Sequence, residues 1–200
     1  MGVDERKVTL RTAILASRAL VTLEEWAAED VARTDLLSAW LGTTPSIALY
    51  AGRPGEPGTR LLIDTLAARG AGVLLPVLRR APAWSMFEGW AATRVGWGAI
   101  PEPVGPALPA PALAQADVVL VPCLAAGRDL TRLGTGGGWY DRALPHRRPD
   151  APVVAVARAA EILDTVPVLP HDHPLDGVVT ETGWVGAPPS LTMVGGPNVV

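Results

Sequence analysis

Between Ser46 and Leu78 the sequence changes its period twice, and this change restricts the fold more than any other feature. Ser46–Tyr50 is a short apolar run of strand type, Thr59–Arg69 reads as a helix capped by Thr59, and Gly72–Leu78 is again a strand. Strand, helix and strand in that order form the parallel crossover unit. Buried strands are expected again at Asp117–Pro122 and Val153–Ala157, with a last short one at Gly177–Thr180. The expected class is α/β: a three-layer α/β/α sandwich, Rossmann-like, with a mostly parallel central sheet, as one domain over residues 1–200. Residues 82–109, rich in Trp, Gly and Pro, read as two short strands with an irregular connection, and Pro109–Ala114 as a helical turn.

Ahead of this core lies an N-terminal helical hairpin. Asp4 to about Leu20 carries early acids, apolar Leu10, Ile14, Leu15 and Leu20, and no Gly or Pro. Thr22-Leu23-Glu24-Glu25 is a capping box that starts a second helix running towards Trp40, with Leu36, Leu37 and Trp40 inward and Gly42 as its stop. At 100° per residue, Lys7, Arg11 and Arg18 fall within about 40° of one another on the first helix. A solvated face is the plain reading of such a stripe. Lys7 nevertheless stands out, because the other 16 of the 17 basic residues are Arg. A lone lysine in an Arg-rich chain suggests that a compact ammonium is needed there.

The second feature is Arg132-Leu-Gly-Thr-Gly-Gly-Gly-Trp-Tyr-Asp141, with glycine at 134, 136, 137 and 138. Such a run suits neither helix nor strand interiors, so its use lies in the backbone. Successive N–H groups can converge on an anion, and a short helix from Trp139 would aim its positive end at the same point. Phosphate is the expected ligand; a flexible surface turn is the alternative. The loop lacks the Gly-Lys-Ser/Thr ending of a Walker A loop. It also places Trp139 where a dinucleotide fingerprint needs its third glycine, which counts against a nicotinamide-dependent oxidoreductase.

The remaining candidates are few. Glu56 lies in a Gly/Pro-rich loop after the first strand, where open α/β sheets bind ligands; a solvated acid is the alternative. His171-Asp172-His173 suggests a metal, but neighbours in extended chain point to opposite sides, so Asp172 alone, as an oxygen ligand for magnesium, is the better reading. Cys123, the one cysteine, excludes an internal disulfide, reads as a small buried hydrophobe and fits a reducing cytoplasm. A net charge of −3 gives no broad basic field for nucleic acid. No segment is suited to a membrane, since the most apolar stretch, 104–126, is broken by four prolines, Gln115 and Asp117, and the N-terminus opens with a charged helix.

In order along nearly the whole chain, these pieces resemble the 5-formyltetrahydrofolate cyclo-ligase family. The matching motifs are Lys7-x-x-x-Arg11, Glu56-x-x-Thr59, Ile100-Pro-Glu-Pro103, Val121-Pro-x-Leu-Ala125, the glycine loop from Arg132 to Asp141, and Pro170-His-Asp-x-Pro174. The resemblance implies an ATP- and magnesium-dependent closure of 5-formyltetrahydrofolate to 5,10-methenyltetrahydrofolate. By position, Lys7 and Arg11 would hold the triphosphate. Arg132, Leu133, Gly134, Thr135, Gly136, Gly137, Gly138, Trp139 and Tyr140 would wrap ATP, with Lys7, Arg11 and Arg132 as the catalytic cations. Asp141 and Asp172 would bind Mg2+. Ala51, Glu56, Trp97, Trp139 and Tyr140 would receive the folate. A cytoplasmic monomer or weak homodimer with a small-molecule substrate, without nucleic-acid or membrane partners, is expected. Two departures stand out: Thr135 replaces a common Arg, for which Arg128 or Arg132 would have to substitute, and Ala126-Gly127 replaces a usual Phe-Asp pair. They raise the alternative of a catalytically weak or inactive folate- or nucleotide-binding homologue.

Overall fold

The strands of the computed structural model, which describes residues 2–170 and 172–191, are short and mostly apolar. In chain order they are β1 (Ser46–Ala48), β2 (Gly72–Val77), β3 (Ala83–Met86), β4 (Thr93–Val95), β5 (Pro101–Pro103), β6 (Leu108–Pro109) and β7 (Val118–Pro122). There follow β8 (Ala125–Gly127), β9 (Arg132–Leu133), β10 (Val153–Val156), β11 (Ile162–Leu163), β12 (Gly177–Thr180) and β13 (Gly183–Trp184). The helices are α1 (Val3–Arg18), α2 (Leu23–Leu41), α3 (Arg60–Ala68) and α4 (Trp139–Ala143).

Eight strands form the central sheet in the order β13-β12-β10-β7-β1-β2-β3-β6. The five central strands are parallel, and antiparallel pairings add β3, β6 and β13 at the margins. Taken in chain order, the parallel strands stand 2-1-3-4-5, so the winding reverses between β1 and β7. A crevice forms outside the carboxyl ends of two strands at such a reversal, and ligands bind there. Because crossovers are right-handed, the reversal also sends α3 to one face and the connections after β2 and β7 to the other. That second layer is thin, built from the 3₁₀ segment Ala110–Gln115, α4 and the turn Leu144–His146. Ile47, Leu49, Leu74, Leu120, Val154 and Val178 are fully buried in the sheet, as strands covered on both faces require.

The two N-terminal helices follow one another as expected, with Thr22 forming the capping box with Glu25, but their buried faces serve different layers. Ile14 of α1 joins Leu124, Ala125, Leu133 and Val166 in a small second core over the sheet β11-β8-β9. Leu37 and Leu41 of α2 belong to the main core. Leu20, expected on the apolar face of α1, is exposed beside the link to α2, as is Leu23. Between residues 82 and 109 the chain makes four short strands where two were expected, with β4 and β5 paired as a separate hairpin. Among the described residues no helix is long and apolar enough to cross a membrane.

Two buried arginines fasten the layers. Arg33, 1 % exposed, bonds Asp30 at 2.6 Å, Glu181 at 3.0 Å and Glu29 at 3.2 Å, and Glu29 also receives Arg158. Arg18 holds both oxygens of Glu161, at 2.6 and 2.7 Å, and donates to the carbonyls of Cys123 and Gly55. Such pairs are strongly destabilising to break singly, because the surviving charge is left buried.

Candidate active site

At the carboxyl ends of β1, β2 and β7 a cavity of about 740 Å³ opens, within the size range of small-molecule sites. Its wall contains Lys7 and Arg11 of α1, Ala51 and Glu56 after β1, Trp97, Arg132, residues 134–142 after β9, and Asp172. Apart from Leu133, every residue that the family resemblance implies for binding or catalysis is therefore gathered here. The side chain of Leu133 is buried in the second core with Ile14 and Leu124.

The α1 cations enter from the opposite end of the chain. Lys7, only 6 % exposed in its side chain, donates to Asp172 Oδ2 at 2.5 Å. Arg11 donates from Nε to the Gly134 carbonyl at 2.9 Å, and its guanidinium carbon lies 3.5 Å from where a Cβ on Gly136 would stand. Gly136 has φ of +102°, so the loop needs glycine there for its conformation. Arg18, third on the same face, does not line this cavity; it is the buried anchor described above. The stripe on α1 is thus engaged along its length, not solvated.

Arg132 is buried, with Nη2 on Asp141 Oδ1 at 2.7 Å and its guanidinium carbon 5.9 Å from the Tyr140 ring centre. Trp139 packs edge-on against both Trp84, at 5.2 Å, and Tyr140, at 4.9 Å. Arg132 Nε, Trp139 Nε1 and Tyr140 Oη are buried without a hydrogen-bond partner among the described residues. All three belong to residues that line the cavity, while the atoms themselves are shut off from solvent. Burial raises the Tyr140 phenol well above its ordinary range, so it stays a neutral donor. Cys123, at the end of β7, is 4 % exposed and hydrogen-bonds the Val156 carbonyl, and burial pushes its thiol up to about 12.

Glu56 is placed by an arrangement that sequence reading assigned otherwise. Thr59 occupies the cap position of α3 but makes no side-chain cap bond. Its hydroxyl donates to the Tyr50 carbonyl at 2.6 Å and accepts from Gly52 N–H at 3.1 Å, while Tyr50 Oη donates to the Pro57 carbonyl at 2.7 Å. From the other side Asp30 accepts from Gly58 N–H at 2.8 Å, so closely that a Cβ at Gly58 would lie 2.1 Å from its carboxylate. The loop is pinned at both ends, and Glu56 accepts from Arg53 Nε at 2.9 Å. Trp97 stands at the rim, 73 % exposed.

The donor set fits a hard cation that brings its own oxygens. Four carboxylates line the wall, Asp4, Glu56, Asp141 and Asp172, of which Asp141 and Asp172 are the pair read as metal ligands, and no cluster of three His, Cys, Asp or Glu suited to a metal occurs among the described residues. Two are too few for a cage made by protein alone and enough for magnesium with phosphates and water. His171 lies outside the described residues. His173 contacts the Pro174 carbonyl and Arg147 and does not line the cavity, so a His-Asp-His site finds no support.

The two sequence departures have local explanations. A Cβ on Gly127 would lie 2.0 Å from Asp129 Oδ1, so Asp129, bonded to Thr131, already fills the space of a side chain at 127. Thr135 lines the cavity without a guanidinium, and Arg128 is turned out towards Asp164, which removes it as a substitute. Arg132 is present, and Arg142 adds a guanidinium that donates to the Gly137 carbonyl at 3.1 Å. Sequence reading missed Arg142, along with Arg53, Arg79 and Arg80. The position of Arg79 and Arg80 just beyond β2 was the signal available.

Several known proteins are similar to this chain in sequence and fold. Residues 3–181 match the model of the 5-formyltetrahydrofolate cyclo-ligase family. A 5-formyltetrahydrofolate cyclo-ligase from Mycolicibacterium smegmatis is 39% identical over 181 residues, covering 87% of this chain and 93% of the relative. One from Escherichia coli K12 is 32% identical over 143 residues, covering 68% and 77%. The solved 5,10-methenyltetrahydrofolate synthetase of Aquifex aeolicus superposes with a TM-score of 0.78 at 26% identity, covering 93% of this chain and 96% of that one. The fold is shared also with the Mycoplasma pneumoniae 5,10-methenyltetrahydrofolate synthetase, at a TM-score of 0.69 and 23% identity over 88% of this chain and 98% of that one. The chain belongs to the 5-formyltetrahydrofolate cyclo-ligase family.

Proposed function

We propose that this member of an enzyme family converts 5-formyltetrahydrofolate to 5,10-methenyltetrahydrofolate, consuming ATP with magnesium and releasing ADP and phosphate. The observation that carries this reading is the meeting of Lys7 and Arg11 with the bare loop 134–138 above the β1/β7 reversal, in the cavity that also holds Glu56. A formamide oxygen is a poor leaving group; transfer of the terminal phosphoryl of ATP onto it lets N10 attack the formyl carbon and phosphate depart. Phosphoryl transfer asks the protein for position and charge neutralisation more than for a nucleophile.

Each residue then has a task. Lys7 and Arg11 neutralise the phosphate oxygens, and the amides of 136–138 approach them closely because no side chain intervenes. Arg132 and Arg142 supply charge beside the transferred group. Asp141 and Asp172 would hold magnesium, which offsets the charge of the phosphates. Glu56 accepts hydrogen bonds from the pterin, and Trp139 and Tyr140 line its side of the cavity.

The test is a turnover assay. Purified protein given 5-formyltetrahydrofolate and Mg-ATP produces the absorbance of methenyltetrahydrofolate in proportion to enzyme; no rise at any concentration, with no folate binding, refutes the reading. A second reading, a binding homologue without turnover, draws on Thr135 and on Arg128 facing away. Calorimetry showing bound ATP and folate with no ADP formed would favour it.

A further inference from the structure

The cations around the cavity differ in how they are satisfied. Lys7 faces Asp172, Arg132 faces Asp141 and Arg53 faces Glu56, whereas Arg11 and Arg142 donate to loop carbonyls. Arg79 and Arg80 line the same cavity, are exposed, and make no ion pair or side-chain hydrogen bond among the described residues. Two adjacent guanidiniums on a cavity wall repel each other, and an anion between them relieves the repulsion.

Their place in the sheet says which anion. They follow β2, the neighbour of β1 on the side away from β7. The glycine loop follows β7 through β8 and β9, and Glu56 lies beyond β1. With strands about 4.8 Å apart, the cavity floor runs from the nucleotide clamp, past Glu56, to the arginine pair. Arg79 and Arg80 thus leave a different strand from the one that leads to the nucleotide clamp, on the far side of β1 from β7. We infer that Arg79 and Arg80 form a subsite for the carboxylates of the substrate's glutamyl tail. This rests on the folate reading above: with the pterin at Glu56, the aminobenzoyl group passes the exposed Trp97 at the rim, and the tail reaches the end of β2.

Each exposed ion pair is worth about two- to fivefold in affinity, and salt screens it. The probe pair is 5-formyltetrahydrofolate and its tail diamide, which has the same shape with both tail carboxylates as neutral carboxamides. Tryptophan fluorescence titration of the full chain is expected to show the diacid binding about 4- to 25-fold more tightly than the diamide at low salt, with the gap shrinking at high salt. The double variant R79E/R80E abolishes or inverts the gap, and R79K/R80K keeps most of it. Equal binding of the two probes, or a gap that survives in R79E/R80E, overturns the subsite alone. Binding of neither probe defeats the folate reading and the subsite together.

Discussion

Three cations lie on one face of α1, and the molecule uses them in two ways. Arg18 is buried and fully committed, with both oxygens of Glu161 and two carbonyls as partners. Lys7 and Arg11, two to three turns nearer the N-terminus, each have a single side-chain bond among the described residues and open onto the cavity. A cation whose bonds are spent inside the protein holds the fold, whereas one left with capacity at a cavity can receive a ligand. The same contrast separates Arg33, locked among three carboxylates, from Arg79 and Arg80 at the far end of the cavity.

Stability measurements can break this division. Arg18→Ala leaves the Glu161 side chain 5 % exposed and without its main partner, and is expected to cost about 3–5 kcal/mol in urea unfolding. Lys7→Ala removes one bond to a partner at the cavity wall and is expected to cost about 1 kcal/mol. Equal losses would mean that Lys7 is structural as well.

Ligand binding reverses the order. Lys7→Ala is expected to weaken ATP by about 10- to 100-fold, as befits a lost hydrogen bond between charged groups, while folate binding stays nearly intact. Calorimetry with each ligand separately reads this directly, and a parallel loss of both affinities would show that α1 shapes the cavity as a whole. Within the loop, Gly136→Ala must force φ of +102° on a residue in contact with Arg11, costing about 1–3 kcal/mol and weakening ATP. At Gly137 a Cβ would meet nothing within 4 Å, so Gly137→Ala is the near-neutral control for stability.

How much of this was legible in the sequence follows from the range of the interactions. The stripe of Lys7, Arg11 and Arg18 follows from helical periodicity, and the bare amides of 134–138 from composition, because both are local properties. The strand pattern likewise placed β1, β2, β7, β10 and β12, and hence the crevice. What separates Arg18 from its neighbours is Glu161, 143 residues away, and no local pattern encodes that pairing. Thr59 looked like a cap because its sequence neighbourhood is that of a cap; its hydroxyl is instead drawn to the Tyr50 carbonyl, nine residues earlier, which only the packing of the loop brings near. Leu133 sits inside the loop motif, yet strand alternation turns its side chain into the second core while Arg132 faces the cavity.

Cys123 sharpens the comparison at its smallest effect. It lies at the end of β7 on the cavity wall, with Arg18 and Arg132 near enough to favour a thiolate, as cations do beside reactive cysteines. Burial outweighs them, with the Glu161 charge adding to it, and the thiol moves from 9.0 up to about 12. The native protein is therefore expected to resist thiol reagents at about pH 8 and to react once unfolded in urea, since a group this buried exposes almost no thiolate. The linkage has a definite sign. A thiol whose folded pKa lies above its unfolded value contributes stability that is complete below pH 9.0 and falls as the pH rises from 9.0 towards about 12, where the unfolded chain releases the proton and the folded one does not. Cys123→Ser lacks that titration, so its unfolding free energy should decline less over this interval than that of the unaltered chain. Rapid labelling of the native thiol, or identical alkaline limbs for the two proteins, would mean that Arg18 and Arg132 act on Cys123 as they would on a ligand, and that the boundary between fold-holding and ligand-facing cations runs through β7 instead of beside it.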